Sequence, residues 1–178
     1  LTTPATSAMF QSILVGVASV EQSKGAIVTG LTLARSDAAA IQLVHAAPVP
    51  PMLWPKSGPE QLAAVNAATL TAAWRRVSDP LRELLAGQAG PAPSVEDLLH
   101  VLPGSPPKVI LDRAEEIHAD LVVLGPHEKR KLFDFGSTAR AVLAKAPCAV
   151  LVQPGEHRPF RRILVPVDLS EDSLQALD

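Results

Sequence analysis

The sequence has very little cysteine, no long apolar run and almost no net charge. Its single cysteine, Cys148, cannot form an intrachain disulfide, which favours a reducing, cytoplasmic setting. No apolar run approaches the roughly 20 residues of a membrane span, and the segment from Leu1 to Phe10 lacks the basic and apolar regions of a signal peptide. The formal net charge of −2 leaves no basic field to attract nucleic acid or an anionic membrane. We therefore expect a cytoplasmic protein that binds neither.

Motifs for catalysis and for metal binding are also missing. The sequence contains no Walker A loop and no Gly-x-Ser-x-Gly elbow, and its five histidines are scattered without ligand spacing. The basic cluster from Lys129 to Lys131 has no aromatic stacking pattern or wider basic field around it, so we interpret it as a solvated loop. Cys148 is expected to be a small buried hydrophobe. Neither an enzyme nor a metal protein is indicated.

Apolar runs alternate with helical periodicities along the chain. Ile13 to Val17 and Ile41 to Ala46 are short apolar runs, typical of parallel strands that are buried on both faces. Between them, Gln22 to Arg35 places its apolar residues on one helical face. The proline-rich segment from Pro48 to Pro59 predicts a loop.

The middle of the chain predicts a long helix and then a strand. Apolar residues recur at spacings of three and four, at Leu70, Trp74, Val77, Leu81 and Leu84. Asp79 and Pro80 can serve as an N-cap and a first helical residue, so this segment is either one helix or two. Position in the series favours a strand over Val95 to Leu102, and Ser105 with Pro106 begins another helix.

The last third predicts a strand, a loop, a helix and a second strand. The apolar run Leu121 to Leu124 ends at Gly125, and Gly136-Ser137-Thr138 opens a helical pattern that precedes the apolar run Cys148 to Val152. In a parallel sheet the end of a strand and the start of the next helix face one crevice, where backbone N–H groups can hold phosphate. The complete pattern predicts a doubly wound α/β fold, with a five-stranded parallel sheet and helices on both faces.

These residues resemble the universal stress protein family. Ala119 to Gly125, Gly136-Ser137 and Ala146 to Val152 match its strand, glycine-rich loop, helix and final strand. The resemblance covers nearly all of Ser12 to Gln153 and implies the strand order 3-2-1-4-5. It also implies an ATP site. The residues implied for that site are Gly125, Gly136, Ser137 and Thr138 at the phosphates and Val44 at the adenine.

The chain departs from that family at the implied site. Glu128 replaces the middle glycine of the loop, where a carboxylate repels a triphosphate, and Gly125 and Gly136 lie closer together than in the family pattern. Ala18 stands where the family has an aspartate that meets the adenine and ribose. Both glycines also have a structural interpretation as tight turns, and Ser137 has one as a helix N-cap. We expect a degenerate site with no cofactor in this domain, and ATP binding is the alternative.

The end of the chain echoes its beginning. Ile163 to Asp168 repeats Ile13 to Ala18 at an offset of 150 residues (163 − 13 = 150), with Asp168 at the position of Ala18. We predict a disordered lead-in or tag remnant at 1–11, a stress-protein-like domain at 12–153 and a linker at 154–160. Residues 161–178 are then the first strand and the start of the first helix of a second, truncated repeat. Because this strand is apolar, we expect it to pair with a sheet edge or an apolar surface.

The preferred hypothesis is a non-catalytic stress-response module, the N-terminal domain of a tandem pair. The resemblance implies dimerisation through the edge strand Cys148 to Gln153, either as a homodimer or as a pseudo-dimer with the second repeat. The first alternative is an ATP- or AMP-binding regulator that uses the implied phosphate residues. The second is an adenine-nucleotide-dependent enzyme of the wider α/β group, which needs an SGG-x-DS loop that Ser19 to Ser23 does not supply.

Overall fold

The computed structural model describes residues 8–48, 59–88, 93–126 and 136–168, with backbone alone for 59–66. Within those ranges, ten elements follow one another along the chain. They are β1 (Ser12–Gly16), α1 (Val20–Asp37), β2 (Ala40–Ala47), α2 (Pro59–Ala86), α3 (Val95–Leu98), β3 (Leu99–Pro103), α4 (Pro106–Glu116), β4 (Leu121–Leu124), α5 (Ser137–Leu143) and β5 (Ala149–Val152).

The strands form one parallel sheet in the order β3-β2-β1-β4-β5, which confirms the predicted fold. β1 is the central strand, and its Ile13 pairs with Ile41 of β2 on one side and with Leu121 of β4 on the other. The chain adds β2 and β3 on one side of β1 and then β4 and β5 on its other side. In such sheets a crevice opens at the carboxyl ends of the strands at this point.

Helices cover both faces of the sheet, so the central strands are buried on two sides. Ile13 and Val15 of β1 join a core with Leu81 of α2, on the face covered by α1 and α2. Leu14, between them, joins a separate core with Val142 of α5, on the face covered by α4 and α5. Successive residues of a strand point to opposite faces. The uninterrupted apolar run in the sequence therefore reflects two cores that share one sheet.

α2 is one helix and continues through Pro80, so the possible division at Asp79-Pro80 does not occur. Proline removes one helical hydrogen bond and costs about 3 kcal/mol in a helix interior. Val77 and Leu81, on either side of Pro80, are buried in the same core. Burial of such side chains contributes about 1.5–3 kcal/mol each, which offsets the cost of the proline and keeps both halves in line.

The strand predicted over Val95 to Leu102 is wrong in its first half. Val95–Leu98 is a single helical turn, α3, and β3 begins only at Leu99. The Ser94 hydroxyl accepts a hydrogen bond from the Asp97 N–H at 3.1 Å and donates to the Asp97 carboxylate at 2.7 Å. This reciprocal cap stabilises a helical start. Glu96 and Asp97, which interrupt the apolar pattern of the predicted strand, belong to that helical turn.

The repeated segment after the domain forms no strand in the described part of the chain. Ile163 is 79% exposed and Leu164 is 92% exposed, whereas their counterparts Ile13 and Leu14 are fully buried. Among the described residues this segment pairs with no strand, and its expected pairing with a sheet edge or apolar surface stays a prediction. Residues 169–178 lie outside the described ranges, as do residues 1–7 of the predicted lead-in.

Asp120 anchors the beginning of β1. Its carboxylate accepts hydrogen bonds from the N–H groups of Gln11 at 2.7 Å and Ser12 at 2.9 Å. Its own N–H donates to the Ser12 carbonyl at 2.8 Å. The aspartate that precedes β4 therefore ties the amino end of β4 to that of β1, and it also holds the last residue of the predicted lead-in.

Replacing Asp120 with alanine leaves two backbone donors without this acceptor. We expect Asp120→Ala to lower the free energy of unfolding by about 1–2 kcal/mol, since a hydrogen bond contributes about 0.5–1.5 kcal/mol. Urea denaturation measures the change. Asp112→Ala is the control, because the exposed pair of Asp112 with Lys108 is worth less than about 0.5 kcal/mol. Equal losses in the two variants would contradict the anchoring role.

Candidate functional site

A cavity of about 360 Å³ lies at the carboxyl ends of β1, β2 and β4. Its volume is within the range of small-molecule sites, about 300–1,000 Å³. The described wall includes Gly16 to Ala18 after β1, Val44 to Ala46 of β2, Gln22 and Ser23 of α1, Leu124 to Pro126 after β4, and Gly136 and Thr138 at α5. This is the crevice that the strand order places beside β1 and β4.

Four of the residues predicted for the site come together in this wall. Val44, Gly125, Gly136 and Thr138 all line the cavity, although they lie in three separate parts of the chain. Val44 is also a core residue of the α4 and α5 face, as the structural interpretation expects. Glu128 and the basic cluster that follows it lie outside the described residues.

Ser137 and Asp168 are not part of the described cavity wall. Ser137 is exposed and is the first residue within α5, while Gly136 occupies the N-cap position and makes no side-chain cap bond. The prediction of Ser137 as an N-cap is therefore wrong, because a hydroxyl inside the first turn is past the position that faces the free N–H groups. Asp168 lies at the end of the exposed segment after the domain.

Gly125 marks a close approach between the end of β4 and the first turn of α1. A Cβ atom at this position would lie 3.2 Å from the Cα of Ser23 and 3.3 Å from the carbonyl oxygen of Gln22. Both separations are tighter than an ordinary van der Waals contact of carbon atoms. A side chain at Gly125 would push these atoms apart by a few tenths of an ångström, so packing favours glycine here whether or not a phosphate is bound.

Hydrogen bonds within the chain close the end of β1. The Val17 N–H donates to the Val44 carbonyl at 2.9 Å, and the Ala18 N–H donates to the hydroxyl of Ser23 at 3.1 Å. Ser23 is almost fully buried. At the rim of the cavity, Ala18 therefore presents a methyl group, and its backbone donor already has a partner.

His45 is a cavity residue that no sequence motif singles out. Its Nδ1 lies 2.9 Å from the carbonyl oxygen of Val17. A carbonyl oxygen can only accept, so Nδ1 carries the hydrogen and Nε2 of the neutral ring is an acceptor. Only its place in β2, next to Val44, could have indicated its position in the cavity wall.

The described wall of the cavity contains no Asp, Glu, Lys or Arg side chain. Its polar side chains come from Gln22, Ser23, His45 and Thr138. In the part of the chain that the structure describes, no cluster of three His, Cys, Asp or Glu residues could hold a metal ion. The described cavity can thus offer hydrogen bonds and apolar contact, but no Lys or Arg to complement a phosphate group.

Cys148 lies outside this wall, half-buried just before β5. Burial raises the pKa of its thiol, and the nearby carboxylate of Asp120 raises it further. The protonated thiol is a weak nucleophile.

None of the described helices is long and apolar enough to cross a membrane.

The family model for the universal stress protein family matches residues 9–154. The chain belongs to this family. Its match covers every strand of the sheet and every described residue of the cavity wall. No curated protein sequence matches the chain significantly.

Solved universal stress protein structures share the fold. UspA from Lactobacillus plantarum is 23% identical, with a TM-score of 0.58 over 83% of this chain and 99% of that one. A universal stress protein in complex with cAMP is 17% identical, with a TM-score of 0.52 over 81% and 97% of the two chains. A putative universal stress protein from Pseudomonas aeruginosa is 20% identical, with a TM-score of 0.53 over 84% of this chain but 50% of that one.

The buried hydroxyl of Ser23 is expected to matter more for this universal stress protein domain than the hydroxyl of Ser137. Ser23→Ala leaves the Ala18 N–H without its partner, which should lower the free energy of unfolding by about 1–2 kcal/mol. Ser137→Ala removes an exposed hydroxyl that makes no cap bond, so its effect should stay within about 0.5 kcal/mol. Parallel urea titrations measure both variants. A larger loss for Ser137→Ala would restore that residue as the cap of α5.

Proposed function

We propose that this universal stress protein domain is a non-catalytic, dimerising module of the cytoplasmic stress response, with a nucleotide site that has lost its ligand groups. The observation that carries the proposal is the end of β1. Ala18 meets the cavity with a methyl group, and the hydroxyl of Ser23 already satisfies its N–H. The methyl group and the N–H of Ala18 therefore cannot supply the contacts that an aspartate side chain would give to an adenine or a ribose.

The charge of the described wall supports the same conclusion. A triphosphate carries several negative charges, which need cations or unpaired N–H groups once they leave water. The described wall supplies no Lys or Arg. Its side chains therefore offer no fixed positive charge to balance a triphosphate.

Calorimetry with ATP and Mg²⁺ tests the loss of nucleotide binding. We expect no binding by the unmodified chain in the micromolar range. Ala18 replaces the acidic residue that would contact the adenine and ribose, and the described wall has no Lys or Arg for the phosphates. Ala18→Asp supplies an acceptor at the end of β1, and a charged hydrogen bond of about 1.5–3 kcal/mol should raise the affinity by about tenfold or more.

Ala18→Ser is the control for that titration, since it adds a small polar group without a charge. Micromolar affinity of the unmodified chain for ATP would overturn the proposal. Equal ATP affinities of Ala18→Asp and Ala18→Ser would show that the missing carboxylate is not the cause.

The alternative is a regulator that binds ATP or AMP. Its support is the size of the cavity, about 360 Å³, together with the cAMP complex of a protein with the same fold. His45 offers an acceptor at Nε2 that could replace the missing aspartate. Titration with AMP and cAMP under the same conditions separates the two functions, because a ligand with one phosphate depends less on cationic contacts.

The dimer interface proposed here is the free edge of β5. Among the described residues, β5 pairs with β4 alone, and its side chains from Val150 to Val152 are half-buried. The Gln153 N–H points to β4, where it donates to the Leu124 carbonyl at 2.8 Å. Because backbone groups alternate in direction along a strand, the N–H of Val152 points to the open edge. A second strand can pair there.

Val152→Pro removes that outward donor without removing a hydrogen bond to β4. Proline is tolerated on edge strands, so the domain should still fold, and sedimentation velocity should show a shift from dimer to monomer. Val152→Thr is the matched control, because it keeps the N–H and the side-chain shape. If both variants sediment like the unmodified protein, β5 is not the interface.

We also propose that the exposed segment from Ile163 to Asp168 is the first strand of a second domain. Its support is the match in sequence to β1 and the exposure of Ile163 and Leu164. The Pseudomonas aeruginosa protein, of which this chain matches half, is long enough for two such domains. Asp168 would then supply to the second site the acidic group that Ala18 lacks in the first.

A further inference from the structure

The chain does not run directly into solvent after β5. Pro154 to His157, called the strap below, lies against α1 and is held there by side chains from both sides. Gln153, which joins β5 to the strap, is 8% exposed, and Thr29 of α1 is fully buried. Both are polar, and a buried polar group needs hydrogen-bond partners.

Those partners form a continuous chain of hydrogen bonds. His157 Nδ1 lies 2.9 Å from the hydroxyl oxygen of Thr29, and that hydroxyl donates to the Gln153 side-chain carbonyl at 3.3 Å. The Gln153 side-chain NH₂ donates to the carbonyl of Glu156 at 3.0 Å. The hydroxyl has one hydrogen, so when Thr29 donates to Gln153, His157 donates to Thr29 through Nδ1. Each member therefore fixes the role of the next.

The backbone of the strap also approaches α1 at Gly25. A Cβ atom at this position would lie 1.8 Å from the carbonyl oxygen of Gly155, a distance that backbone atoms cannot accept. Glycine in the interior of a helix is otherwise disfavoured relative to alanine. The strap gives a physical reason for it, because α1 needs a bare backbone where Gly155 crosses it.

We propose that the surface of α1 around Gly25 and Thr29 is a docking site for the strap, and that Gln153 and His157 are positioning residues which set the direction in which the chain leaves the domain. The partner of this surface is the chain's own segment Pro154 to His157. The inference does not depend on nucleotide binding or on the dimer.

The consequence concerns the apolar segment that follows. Phe160 is 57% exposed, and the exposure continues through Ile163 and Leu164. A flexible linker would let these residues sample many directions. With the strap docked, only a few residues separate a fixed point on α1 from the first exposed apolar side chain. The segment that pairs with a sheet or second domain therefore starts from a fixed point on the α1 side of the molecule.

Cleavage of the full chain by a glutamyl endopeptidase at Glu156 tests the docking. A protease needs an undocked, extended segment, so the cleavage rate follows the open population when opening is fast. Each rate is divided by that of a free peptide with the same sequence around Glu156. The unmodified protein should be cleaved at least about tenfold more slowly than its peptide.

Two variants of α1 should release the strap. Gly25→Ala forces Gly155 away and should raise the normalised rate by about tenfold or more. Thr29→Val keeps the side-chain shape but removes the hydroxyl that bonds Gln153 and His157, and a rise of about fivefold or more is expected. Thr32→Val is the matched control, because its exposed hydroxyl bonds only to the Val28 carbonyl within α1. Its rate should not change.

A variant outside the helix guards against misfolding of α1. His157→Ala removes the donor to Thr29 and should raise the normalised rate by about fivefold, while the circular dichroism spectrum and unfolding midpoint stay unchanged. The proposal is overturned if the unmodified protein is cleaved as fast as its peptide. It is also overturned if His157→Ala and Gly25→Ala are cleaved no faster than Thr32→Val.

Discussion

The close packing of α1 on the sheet is the contact on which the rest of the structure depends. A Cβ atom at Gly30 would lie 2.6 Å from a methyl carbon of Val15, so this helix packs directly on the side chains of the central strand. Near its amino end, Gly125 allows the end of β4 to reach the first turn of the helix. Protein interiors are packed too densely to absorb an added methyl group at such contacts without movement.

Because it packs so closely on the sheet, α1 makes two further contacts along its length. Its first turn holds Ser23 against the end of β1, where the hydroxyl accepts from the Ala18 N–H and helps to form the cavity wall. Two turns further on, Thr29 meets Gln153, whose N–H is bonded to the Leu124 carbonyl at the end of β4. The cavity and the exit of the chain are therefore built on one helix and one strand end.

How far the sequence predicts this structure depends on the range of the interactions involved. The strands could be predicted because burial on both faces leaves a local apolar run, as in Ile13 to Val17. The strand order came from the family resemblance. The turn Val95–Leu98 was missed because its helical state depends on one capping serine before an acidic pair, which periodicity does not report. The bond between Thr29 and Gln153 joins residues 124 positions apart, so no local pattern can reveal it.

Some residues of the cavity wall are fixed by packing, and only the others can indicate whether a ligand binds. Val44 and Leu124 belong to the core of the α4 and α5 face, and glycine at 125 is favoured by its close contact with Ser23. These residues would be kept by packing even if nothing were bound, and they preserve the shape of the cavity. Ala18 has no such constraint, because only its backbone takes part in a hydrogen bond within the chain. A position where the fold accepts many side chains is the one whose side chain tells whether a ligand binds. The methyl group of Ala18 is therefore stronger evidence about this site than Gly125 and Gly136.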